Sequence, residues 1–176
     1  MKREPLASLM TGTVVADETF IGGKPKNKHR QGRPARLPVG AGSKVGPAYD
    51  KQPVLALVDR ETGEVRAKVV TDVTGPTLRK AMEGVVDFAQ SHLMTDGGPQ
   101  YRVMGRQDFL SHEYVDHSSY EYVRGNVTTN QAESFFAQFK RSLDGTHHNV
   151  SRKHLDRYAS EFAFRWNTSK QSDHQR

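Results

Sequence analysis

The sequence predicts an α/β domain, a five-stranded sheet flanked by helices. The order is strand, strand, strand, helix, strand, strand, helix, helix. Three observations carry the prediction. Short runs rich in β-branched residues, bounded by Gly and Pro, recur through the first two thirds of the chain. A helical period separates the third run from the fourth. Two strongly periodic helical stretches close the chain.

Thr11 to Ile21 reads as the first strand, between Gly12 on one side and Gly22-Gly23 on the other. Asp17 and Glu18 lie near its far end. Adjacent strand residues point to opposite faces, so only one of the two belongs to a given site. Pro53 to Asp59 is a short apolar run suited to a buried strand. Glu64 to Val70 alternates Val65, Ala67 and Val69 with Arg66 and Lys68, which fits a half-exposed strand. With the turn Arg60–Gly63 between them, these two form a hairpin, giving three antiparallel strands in succession. Thr74-Gly75-Pro76 opens a helix whose apolar face is Leu78, Ala81, Met82, Val85, Phe88 and Ala89, ending near Gln90. His92 to Thr95 is a brief strand that delivers Asp96 to the turn Gly97-Gly98-Pro99. Pro99 to Gln107 suits a short helix, and His112 to His117 a fifth strand.

Thr128 to Leu143 reads as one helix. Ala132, Phe135, Phe136, Phe139 and Leu143 share a face at helical period. Glu133 and Lys140 are two turns apart, so both lie on the shoulder of that stripe. Asn130 is a suitable N-cap, and Asn130 with Glu133 has the spacing of a capping box. A loop follows from Asp144 to Val150. Ser151 then caps a last helix with the stripe Leu155, Tyr158, Ala159, Phe162 and Trp166, in which Trp166 is a core anchor.

At 176 residues the chain suits one domain, spanning 11–168 with tails at 1–10 and 169–176. The net charge of +6 points first to polyanionic partners. The charge is concentrated in 22–50, a Gly- and Pro-punctuated basic loop. It carries Lys24, Lys26, Lys28, Arg30, Arg33, Arg36 and Lys44 and has no acid between Glu18 and Asp50. This composition suits an arm that contacts phosphates and orders on nucleic acid. The chain has no Cys, which excludes disulfides and Cys-ligated zinc. It has no apolar run of membrane-spanning length, so the expected setting is soluble and cytoplasmic, with no membrane partner.

Acids fall at the end of the first strand (Asp17), the end of the fourth (Asp96) and near the start of a later helix (Glu133). If the first and fourth strands are adjacent their ends converge, and three carboxylates at one edge cannot all remain ionised side by side without cations. Hard divalent ions with oxygen ligands, Mg²⁺ or Mn²⁺, meet that need. Two such ions, about 3.5–4 Å apart, activate an attacking oxygen and stabilise a leaving oxygen at a phosphodiester. Asp59 and Asp72 also end strands, and in a different register either replaces Asp17. His147 and His148, with His112 and His117, lack the carboxylate-rich spacing of a zinc site and read as phosphate contacts or structural donors.

The runs DETFIGGK, VLALVDR, TDGGPQY, HxxVDHSSYEYVRG and TTNQAESFFAQFKRSLDGTHHNVSRKHLDRYASEFAFRWN together resemble the bacterial insertion-sequence transposases of the ISXO group. The resemblance covers roughly Gly12 to Thr168. It implies a DDE-type enzyme with a ribonuclease-H-like, retroviral-integrase core and a mixed sheet. It implies metal-dependent DNA cleavage and strand transfer, with Asp17, Asp96 and Glu133 as metal-holding catalytic acids and Lys140 as the family's lysine seven residues on. Some relatives use Asn as the third residue, and Asn130 lies close by. The seven-residue step to Lys140 starts from Glu133, which favours the glutamate. Lys140 and Arg141 join the basic loop as DNA contacts. The implied partners are element ends and target DNA, bound by a homo-oligomer, in a nucleoid-associated setting.

Full-length relatives usually carry an N-terminal zinc ribbon or another DNA-binding module, and here about ten residues precede the first strand. The expectation is a catalytic core fragment, a truncated copy or the product of a degraded element. The alternatives to a transposase are a non-catalytic DNA-binding derivative and a ribonuclease-H-like nuclease.

Overall fold

A computed structural model describes residues 8–22, 51–115, 128–147, 150–169 and 171. The basic run Lys24, Lys26, Lys28, Arg30, Arg33 and Arg36, together with His117 and His148, lies outside these residues.

The sheet has the order β3-β2-β1-β4-β5, so the first strand to be made is the central one. β1 is Met10–Ile21, β2 is Gln52–Asp59 and β3 is Val65–Val69. These three pair antiparallel, as the hairpin reading requires. On its other side β1 pairs in parallel with β4, Val86–Thr95, which pairs in parallel with β5, Ser111–Tyr114. The sheet is therefore mixed. α1 (Gly75–Met82) leads into β4 and α2 (Pro99–Gln107) into β5, while α3 (Asn130–Ser142) and α4 (Leu155–Asn167) close the chain.

Alternation along β1 divides the core in two. Val14 and Ala16 face α1 and α2, in a cluster with Leu55, Leu57, Leu78, Met82, Leu93 and Tyr101. Val15 faces α3 and α4, in a cluster with Val58, Met94, Phe135, Phe139, Leu155 and Ala159. The result is three layers, helices on both faces of one sheet. α3 and α4 are joined by aromatic contacts: Phe135 meets the Trp166 ring edge-on at 5.6 Å, and Phe139 meets Phe162 at 5.4 Å. Trp166 is thus the core anchor its helical stripe indicated. Its indole N–H donates to the Gly63 carbonyl at 3.3 Å.

The helix expected to reach Gln90 stops at Met82 instead, and β4 extends back to Val86. Gly84, at φ 73°, turns the chain there, a conformation that suits glycine. Val85 and Phe88 then contribute to the α1/α2 side of the core from an extended segment. The apolar spacing continued helically beyond a helix that had already ended. A bulge between Met10 and Gly12 absorbs the extra residues of β4. At the other end, Thr129 rather than Asn130 is the N-cap of α3. The expected loop after α3 begins with a π-helical turn, Leu143–His147, and a short 3₁₀ turn, Arg152–His154, precedes α4.

Candidate active site

β1 and β4 run parallel and in register, with Val15 beside Met94. Two residues further on, Asp17 is still within β1, and Asp96 has just left β4. The same step of two puts both on the face of Val15 and Met94, the α3/α4 face. Across the antiparallel pair Asp17 lies opposite Ala56, a small neighbour that leaves the carboxylate room. Glu133 stands in the first turn of α3, over this face, and accepts a hydrogen bond from the Thr129 hydroxyl at 3.0 Å. That replaces the expected capping box with Asn130.

The electrostatics link the three acids. Asp17 is pushed up from 3.8 to about 7, first by burial, then by the Asp96 carboxylate, with smaller contributions from Glu18 and Glu133. The Glu18 backbone N–H, donating to Asp17 Oδ1 at 2.8 Å, partly opposes the rise. Burial is the larger cause, and the neighbouring carboxylates add to it. Among the described residues no three His, Asp or Glu side chains stand close enough to ligate a single ion together. The donor set itself is all oxygen and suits Mg²⁺ or Mn²⁺.

Asp96 is held by its turn. Its Oδ1 accepts from the Gly98 N–H at 3.2 Å, and Gly97, at φ 80°, lies against Tyr114, where an added Cβ would stand 2.9 Å from the ring. The buried Thr95 hydroxyl meets His112 Nε2 at 3.0 Å and accepts from the Gly97 N–H at 3.3 Å. His112 is thereby a structural donor or acceptor, held below its usual range by burial and by Arg106.

The other acids are engaged elsewhere. Asp59 accepts from the Glu61 and Thr62 N–H groups, both at 2.9 Å, and so builds the β2–β3 turn. Asp72 is lowered to about 2 chiefly by the Thr74 hydroxyl, and it shapes the entry to α1. Neither stands in the place of Asp17. Lys140 and Arg141 are exposed in the last turn of α3. Lys140 lies about 10 Å along the axis from Glu133, at 1.5 Å per residue.

Glu18 is not among the site residues that the sequence indicates. It faces the opposite side of β1, where it accepts hydrogen bonds from Gln100 Nε2 and the Tyr101 hydroxyl, each at 2.5 Å. The polar pair Gln100-Tyr101, placed directly after the Gly-Gly-Pro turn, was the available signal.

The model of the ISXO2-like transposase domain family matches residues 9–167. A curated relative from Halobacterium salinarum, described as an uncharacterized protein in transposable element ISH50, is 30% identical over 158 residues. The alignment takes in 89% of this chain and 52% of the relative, so the chain spans about half the length of the curated relative it matches. Among solved structures, the HTLV-2 integrase catalytic core domain in complex with magnesium (dimeric form) is similar with a TM-score of 0.52 and 13% identity. It covers 90% of this chain and 88% of that one. At that identity the likeness speaks for the fold, which is the expected ribonuclease-H-like fold of retroviral integrase cores.

Proposed function

The chain belongs to the ISXO2-like transposase domain family, and from that premise we propose that it cleaves and joins DNA at the ends of an insertion sequence, using divalent cations. The observation that carries the proposal is the placement of Asp17 and Asp96 at the same level of adjacent parallel strands, under the first turn of α3 that bears Glu133. Asp17, Asp96 and Glu133 would hold Mg²⁺ or Mn²⁺, two ions in all. When bound, such ions lower the pKa of the attacking oxygen and stabilise the leaving oxygen.

The chain's own residues do the rest. With its pKa raised to about 7, Asp17 carries its full negative charge only above that pH or where a bound cation displaces its proton. Lys140 and Arg141 contact phosphate from the exposed end of α3. Lys24, Lys26, Lys28, Arg30, Arg33 and Arg36 bind backbone. In the first step water attacks a phosphodiester at the element end and frees a 3′-hydroxyl. In the second that hydroxyl attacks a target phosphodiester, one bond forming as one breaks. Both ends of an element must be held for this, which suits a homo-oligomer on DNA in the bacterial cytoplasm.

The test is a strand-transfer assay with pre-cut end duplexes and a target plasmid. Wild-type chain should join the two in Mg²⁺. Asp17→Asn and Asp96→Asn should bind the duplex with similar affinity yet yield no joined product, since removal of one metal-holding acid removes an interaction made at the reacting phosphate. Joining at the native rate by either variant would refute the site.

A further inference from the structure

We propose that Glu18, Gln100 and Tyr101 form a positioning clamp that sets the separation of Asp17 and Asp96 from the far side of the sheet. The inference rests on the metal-site reading above and assigns to it residues that touch neither metal nor DNA.

The geometry begins with two neighbours on one strand. Asp17 faces α3, and Glu18, one residue on, faces the α1/α2 layer. The β1 and β2 residues of that layer are apolar, Val14, Ala16, Leu55 and Leu57 among them. A carboxylate there is costly unless it is hydrogen-bonded. Glu18 receives two bonds, one from each of two consecutive residues of α2. Tyr101 is fully buried, so its hydroxyl is aimed at Glu18 within the core. Gln100 and Tyr101 follow the turn Asp96-Gly97-Gly98-Pro99 directly. The clamp therefore ties the beginning of α2, and with it the turn that carries Asp96, to the residue beside Asp17.

Two glycines make the clamp possible. A Cβ at Gly98 would collide with the Gln100 side chain that reaches Glu18, and a Cβ at Gly75 would come 2.9 Å from the Gln100 carbonyl oxygen. The start of α2 is thus packed closely against Gly75 and Gly98. Like charges on Asp17 and Asp96 push the two strand ends apart, and the clamp opposes that push through covalent neighbours of each acid.

The experiment measures Mn²⁺ affinity of the full chain without DNA, from the electron paramagnetic resonance signal of the free ion. The chains compared are wild type, Tyr101→Phe, Glu18→Gln and the core control Leu78→Ala. Positioning contacts of this kind are worth about tenfold or more in metal affinity. Tyr101→Phe and Glu18→Gln should bind Mn²⁺ about tenfold more weakly than wild type. Leu78→Ala, which lowers thermal stability from the same layer, should bind it as wild type does. Wild-type affinity in both clamp variants would overturn the clamp while leaving the metal site standing. Weakening in Leu78→Ala equal to that in the clamp variants would reduce the clamp to general stability and also overturn it. Absence of binding by wild type would remove the metal site and the clamp together.

Discussion

Asp17 is a carboxylate whose surroundings work against its charge. Burial and Asp96 raise it from 3.8 to about 7, so the folded chain keeps a proton that the unfolded chain loses near 3.8. Glu18 is raised in the same direction, mainly by burial. A raised acid contributes stability that is complete below its unfolded pKa and is lost as pH climbs through the folded one. Without metal, the melting temperature should therefore fall between about pH 4 and pH 7 from these two groups. A stability curve that rises over that interval would contradict the assignment. Asp17→Asn removes the buried charge and its repulsion by Asp96, so above pH 7 it should melt several degrees higher than wild type in the absence of metal, at roughly 2–4 °C per kcal/mol for a chain of this size. On the proposed function the same variant should lose activity, as expected where a site is held at the expense of stability. At this scale the positions of Asp17, Asp96 and Glu133 in their elements were legible, because strands and helix starts are visible in apolar spacing. Thr95 and Glu18 were not, because each acts through a partner 17 to 83 residues away that only the folded chain brings near.

At the scale of elements, the terminal helix guards a sheet edge. β3 is an outer strand, and its Val65 N–H donates to Asn167 Oδ1 at 2.8 Å while Asn167 Nδ2 donates back to the Val65 carbonyl at 2.9 Å. One side chain thus pairs with Val65 as a neighbouring strand would and covers the edge at that residue. Asn167→Ala should cost about 1–3 kcal/mol by leaving both groups unpaired. Urea unfolding would measure this, together with faster amide exchange at Val65, and an unchanged midpoint would show that water replaces the pair fully. Gly97 is a second such point. Its positive φ and its closeness to Tyr114 both exclude a side chain, so Gly97→Ala should lower activity more than stability by displacing the Asp96 turn, as kcat and melting temperature measured side by side would show. The strand-to-helix rhythm and the antiparallel hairpin were readable from Gly and Pro punctuation. The true end of α1 was not, because Val85, Phe88 and Ala89 continued a helical spacing by coincidence and only Gly84 marked the turn.

For the whole molecule, sheet order decides what the chain can do. Placing β1 at the centre, antiparallel to β2 and parallel to β4, brings an acid from the first strand beside one from the fourth, and α3 then lays a third over the same face. Neither spacing nor composition specifies which strands become neighbours, so this convergence was available beforehand only through resemblance to a family. If cations complete the arrangement, millimolar Mg²⁺ should raise the melting temperature more at about pH 8 than at about pH 5, where Asp17 is protonated and offers an ion little charge. The most direct measurement is a metal titration of nicking on supercoiled plasmid carrying the element's ends, with wild-type chain beside Asp96→Asn. The account predicts nicking that rises with Mg²⁺ or Mn²⁺ in wild type and is absent in the variant at every concentration. Nicking that needs no metal, or that persists undiminished in Asp96→Asn, would contradict it.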